Sequence, residues 1–217
     1  MSICLALSDA DWTLTKDIFS IVGTVATVVG VALASYVGLG GLSTWKKQLS
    51  GTSNHELARR VLVLAYKYRD AVDRVRNPWI SPKEMELDNT LENGETSQER
   101  RYAGTCIAYD KRFLLVTESR RELDVTLLEA EALWGAEIKE LVKPLYDKSW
   151  KLYAYIETYM MSIDPGQDDA YRQEYAEIVR SQPNIRNRKD RADQDTFAIE
   201  FNQLLNNVER YLRSKLA

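Results

Sequence analysis

Residues 18–42 read IFSIVGTVATVVGVALASYVGLGGL, and not one of them is charged. The hydrocarbon core of a bilayer takes roughly 20 apolar helical residues to cross, so this stretch is long enough to span with some tilt. A helix in the core of a small soluble domain is usually amphipathic and meets a charge much sooner. A cleaved signal peptide would begin with basic residues, whereas residues 1–17 carry Asp9, Asp11 and Asp17 against Lys16 alone. Ala32-Leu33-Ala34 does resemble a small-residue cleavage site, and that alternative stays open. The reading favoured is a transmembrane helix over 18–42, preceded by a short extracytoplasmic segment, 1–17.

The flanks set an orientation. Between Ser43 and Arg76 there are eight Lys or Arg against Glu56, Asp70 and Asp73. The positive-inside rule then predicts a single pass with the N-terminus outside and the C-terminal part cytoplasmic. Residues 43–52 read as a juxtamembrane linker in which Trp45, Lys46 and Lys47 suit the membrane interface and its anionic headgroups.

Turned at ~100° per residue, the apolar run has distinct faces. Ser20, Thr24, Thr27 and Ser35 share an arc of roughly 80°. Their hydroxyls suit the lining of a wet lumen, or hydrogen bonds back to their own helix. Ala26, Gly30, Ala34 and Gly38 recur every fourth residue, a pattern that lets helix backbones approach closely in a membrane. The bulky side, including Ile21, Val25, Val28 and Val29, suits lipid. The stripes predict a homo-oligomer, since one helix per chain cannot enclose a conduit.

Residues 53–217 are predicted to form an all-α domain, a cytoplasmic antiparallel helical bundle. The whole chain is 45% hydrophobic and 28% charged, an ordinary globular balance with enough length for a core. Ser53-x-x-Glu56 reads as a capping box opening a helix that ends at Asn77-Pro78. Its apolar stripe includes Leu57, Val61, Leu64, Tyr68 and Val75. A polar, acidic connection over 79–95, carrying Asp88, Glu92 and Glu95, follows, with Trp79 and Ile80 expected to attach it. Thr96-x-x-Glu99 is a second capping box, before a long helix to about Trp134 that Gly135 weakens. A further helix over 136–162 contains Pro144, which should kink it or mark a join. Asp164-Pro165-Gly166 reads as a turn, 168–180 as a short helix, and about 193–215 as the last helix. Tyr146, Trp150, Tyr153, Tyr155 and Tyr159 are read as core rather than as a stacking platform for flat ligands.

Little reads as catalysis. His55 is the only histidine, and Cys4 and Cys106 the only cysteines, placed by this topology on opposite sides of the membrane. No phosphate-cradling glycine loop, nucleophile elbow or kinase signature occurs. The expectation is a protein that is not an enzyme and needs no metal or other cofactor. Arg186, Arg188, Lys189 and Arg191 form a basic cluster that could bind an anion or a partner. From residue 77 onward acidic side chains outnumber basic ones by six, which argues against general nucleic-acid binding.

Residues 43–81, STWKKQLSGTSNHELARRVLVLAYKYRDAVDRVRNPWIS, resemble a segment of a group of small bacterial membrane-anchored proteins. In that group an apolar helix leads through a Trp-Lys-Lys join into a helix of the form ELARR, YKYRDA, RNP. The ending NNVERYLRSKL, 206–216, is similar to theirs as well. The resemblance covers about a quarter of the chain and implies no established activity. In architecture the chain also resembles the pore-forming accessory protein of type VI CRISPR loci, which joins a membrane helix to a helical domain of the HEPN kind. HEPN ribonucleases use an arginine, four to six intervening residues and then a histidine, and His55 has no arginine in that upstream window.

The leading expectation is an oligomer whose cytoplasmic domain gathers membrane helices, as a pore-forming or membrane-perturbing antiviral effector. The alternative is a membrane-tethered scaffold that docks a cytoplasmic partner enzyme encoded nearby and opens no pore. A membrane-bound nuclease or hydrolase is a third.

Overall fold

A computed structural model describes residues 9–86, 96–189 and 194–216. The described residues form five α-helices and no strand: α1 (Asp9–Val75), α2 (Ser97–Trp134), α3 (Glu137–Ile163), α4 (Asp169–Ser181) and α5 (Thr196–Leu216). The chain divides into two compact units, Met1–Ser53 and Asn54–Ala217.

In the first unit, α1 contains Phe19–Val37, a 19-residue stretch long and apolar enough to cross a membrane and with none of its residues buried. A signal sequence has the same length and composition. The backbone is helical across residues 43–52, where a linker and a fresh helix start at Ser53 are predicted. Ser53 therefore caps nothing. A capping box works only where the preceding residue is non-helical, since the cap satisfies N–H groups that a continuing helix already pairs.

In the second unit the rest of α1 contributes Leu57, Val61, Ala65, Tyr68, Val72 and Val75 to the core. Leu123, Leu127 and Ala130 of α2 join them, as do Ile138, Val142, Leu145, Leu152 and Ile156 of α3. Phe197, Phe201, Leu205, Val208 and Leu212 complete the core from α5. α3 packs against α2, α4 and α5. The spacing of three and four within each set is the sign of one apolar stripe per helix turned inward. At the centre the Tyr68 hydroxyl bonds the Ser149 hydroxyl, and its ring meets Tyr146 edge-on at 5.3 Å. Burial pushes the Tyr68 phenol up to about 12, so it stays a neutral donor or acceptor.

Local chemistry sets the helix ends. The Thr96 hydroxyl accepts from the Glu99 N–H at 3.2 Å, and the Thr96 N–H donates to the Glu99 carboxylate at 2.7 Å, a reciprocal capping box. Gly135 ends α2 with φ +86° and ψ 180°, a region essentially reserved for glycine. The Asp168 side chain accepts from the Tyr171 N–H at 2.7 Å and starts α4.

α3 is one helix through Pro144, so the proline marks no join between two helices. Two further expectations fail. Trp79 is 83% exposed and is held through its backbone, its carbonyl accepting from Arg112 and its N–H donating to the Asn77 side chain at 3.0 Å. Trp150 is 67% exposed, stacked on Tyr153 at 5.2 Å rather than buried in the core.

Candidate functional site

Two arginines decide the geometry at the end of the domain where α1 stops. Arg76 is 1% exposed and Arg112 is 2% exposed. A guanidinium this deep needs partners for its charge, because a buried unpaired charge is strongly destabilising, and of the Arg76 nitrogens only Nη1 has no hydrogen-bond partner among the described residues. Arg76 Nη2 donates to both carboxylate oxygens of Asp195, at 2.7 and 3.0 Å. Its Nε donates to the Ile185 carbonyl at 2.8 Å, and Nη2 reaches the Asn187 carbonyl at 3.3 Å. The ring of Phe197 covers the guanidinium at 4.4 Å. Asp195 also accepts from the Ala198 N–H at 3.1 Å, the first turn of α5, and from the Lys189 N–H at 3.3 Å. Burial alone would raise the Asp195 carboxyl, but the hydrogen bonds from Arg76 and the backbone, with the Arg76 charge, hold it below the ordinary aspartate value.

Arg112 binds the other loop. It donates to the carbonyls of Asn77 at 2.7 Å and Trp79 at 2.5 Å, and to Val75 at 3.4 Å. Val75 is the last residue of α1, and its carbonyl is one that the helix end leaves without a helical partner; Asn77 and Trp79 lie in the loop beyond it. Its Nε bonds Glu84 at 3.0 Å. Arg112 holds the Glu84 carboxyl down to about 2, with help from Ser81 and against the cost of burial.

The two anchored loops wall a cavity of about 380 Å³. Its floor is α2 and α3, through Tyr102, Tyr109, Tyr159 and Ile163, and its rim includes Arg101 and Arg186. The Arg186 guanidinium lies 3.6 Å from the centre of the Tyr159 ring. Tyr109 is 6% exposed, and burial raises its phenol while Arg186 acts the other way. Tyr102 is raised by burial and by its hydrogen bond with Cys106. Cys106 is itself raised by burial, so its thiol is not an activated nucleophile.

The basic cluster read from the sequence is thus split. Arg186 faces this cavity. Arg188 lines a separate groove with Arg69, Asp73 and Asn77, and its N–H donates to the Arg76 carbonyl at 3.0 Å. Lys189 meets Asp195 through its backbone. Arg191 lies outside the described residues, as do Cys4, Asp88, Glu92 and Glu95. Arg76, Arg112, Tyr102, Tyr109 and Arg101 were not singled out by sequence. The available signal was an arginine at an inward position: Arg76 follows Ala65, Tyr68 and Val72, and Arg112 stands between Ala108 and Val116.

Along the apolar stretch, Ser20, Thr24, Thr27 and Ser35 are exposed, as are Ala26, Gly30 and Ala34. Thr24 donates to the Ser20 carbonyl at 2.9 Å and Thr27 to the Gly23 carbonyl at 2.8 Å, so both hydroxyls are satisfied within their own helix. Gly38, Trp45, Lys46 and Lys47 lie in α1, but their side-chain surroundings fall outside the described residues. Among the described residues no cluster of His, Cys, Asp and Glu is arranged to hold a metal ion. No family model, curated protein or solved structure matches the chain with significance.

Proposed function

We propose that this chain is a non-enzymatic, membrane-anchored protein of the bacterial inner membrane that works as a homo-oligomer. Phe19–Val37 spans the bilayer once, with the N-terminus outside and an antiparallel helical bundle in the cytoplasm. The bundle gathers copies, and the gathered membrane helices perturb or perforate the bilayer, as an effector of antiviral defence would. The observation that carries the reading is the exposure of the entire Phe19–Val37 stretch, since water does not tolerate an apolar surface of that length. The antiparallel arrangement is supported by two ion pairs, Arg60–Glu129 at 2.7 Å and Lys67–Glu122 at 3.3 Å, in which the order along one helix reverses along the other.

Assembly through the small-residue stripe has a direct test. A Cβ at Gly30 would meet nothing within 4 Å in its own chain, so Gly30→Leu costs the monomer no clash. Leucine there would instead hold apart helix backbones that glycine lets touch, whereas Val29→Leu only enlarges a lipid-facing side chain. Each close helix contact is worth on the order of 1 kcal/mol, about fivefold in association. Gly30→Leu is therefore expected to reduce the assembled fraction in mild detergent and the leakage of dye from cells making the protein, and Val29→Leu to leave both unchanged. Parent-like behaviour of both variants would remove the stripe as the assembly surface. Full activity in cells without leakage from any form would favour the tethered scaffold.

A further inference from the structure

The cavity at the far end of α1 has a composition that selects its ligand. Two cations line it, Arg101 and Arg186, and no Asp or Glu does. Neither arginine forms an ion pair among the described residues. Arg186 is half-buried, and its nearest planar neighbour is a ring rather than a carboxylate. Three tyrosines give flat apolar walls, and the hydroxyls of Tyr109 and Tyr159 bond no group among the described residues, although Tyr109 is more than nine-tenths buried. Gln98 adds an amide on the same side. The loops that carry Arg186 and Pro78 are held by the buried Arg76 and Arg112, so the walls are built before any ligand arrives.

From this we infer that the cavity is a binding site for a small ligand joining an anionic group to a planar aromatic body, of the size and class of a mononucleotide. The anion is held by Arg101 and Arg186, whose forked donors match phosphate oxygens. The planar body lies against the tyrosine rings, and the free phenol hydroxyls with Gln98 meet its polar edge. A volume of about 380 Å³ falls in the range of small-molecule sites and is far too small for a polymer. The site supplies binding and no reaction. The inference concerns binding alone and does not rest on the function proposed above.

The test uses the full chain in mild detergent and titration calorimetry with the four ribonucleoside 5′-monophosphates, the free nucleosides and inorganic phosphate. Particle size is followed separately, so that failure to bind and failure to assemble are distinguished. At least one monophosphate is expected to bind with Kd below about 1 mM, and more tightly than either its nucleoside or phosphate. Arg186→Gln is expected to weaken it by at least about tenfold, the worth of a charge-assisted bond. Arg101→Gln, at an exposed position of α2, should weaken it too. Arg188→Gln, in the neighbouring groove, should bind as the parent does. The inference is overturned if no monophosphate binds below about 1 mM, if phosphate alone binds as tightly, or if Arg186→Gln and Arg101→Gln both bind like the parent.

Discussion

Asp195→Ala is expected to destabilise the helical domain by about 3–5 kcal/mol, the cost of leaving one member of a buried ion pair unpaired. Arg76 is 1% exposed and Asp195 5% exposed, so water cannot replace the lost carboxylate without opening the loop. The same substitution removes the acceptor for Ala198 N–H at the start of α5, worth about 1 kcal/mol by itself. Arg76→Met is expected to be milder than Arg76→Ala, since it retains apolar volume against Phe197. Urea unfolding followed by circular dichroism reads each difference.

The pair also fixes how stability varies with pH. Asp195 is held below its ordinary value of 3.8, and Glu84 is lowered from 4.5 to about 2. A carboxyl whose folded value is depressed contributes stability that is present above its unfolded value and lost as pH falls through the folded one. Stability of the parent should therefore fall below about pH 4.5, and the gap between parent and Asp195→Ala should narrow in the same interval. A gap that stays constant into acid would show that the loss comes from packing or the cap and not from the charge.

Val25→Arg together with Val28→Arg is expected to abolish membrane retention. Each arginine near the centre of a spanning helix costs about 2.5–3.5 kcal/mol on insertion scales. Both positions are exposed and lie well inside Phe19–Val37. The double variant should appear in the soluble or aggregated fraction after alkaline carbonate extraction, while the parent stays with the membrane. Thr24→Val with Thr27→Val is the matched control. Those hydroxyls bond only Ser20 and Gly23 of their own helix, so losing them should leave retention unchanged.

The helices of the domain were largely legible from sequence because each carries one apolar stripe and most ends carry a cap or breaker that acts locally. Thr96 with Glu99 and Gly135 act within a few residues of themselves, and such signals survive in a linear reading. Ser53 with Glu56 has the same spelling as Thr96 with Glu99 and means nothing, because what precedes it is helix. Trp79 and Trp150 mislead for another reason. Their size argues for burial, but Trp150 sits outside the inward stripe of α3, and Trp79 lies in the loop after α1, where no helical register turns it inward. The cavity was beyond reach because four separated segments build it, around residues 78–80, 98–109, 159–163 and 186–187. Only tertiary structure brings Arg101 and Arg186 to one rim, and the loop that Arg76 bonds places Arg186 and Arg188 on different pockets.

The central claim is that the apolar helix is a membrane anchor and that the anchored copies assemble. The most direct measurement is the protein mass of the full chain extracted from bacterial membranes in mild detergent, by light scattering with detergent correction. The account predicts a discrete particle of several times 24.9 kDa. A monodisperse 24.9 kDa species under those conditions, or recovery of the full chain from the soluble fraction, would contradict it.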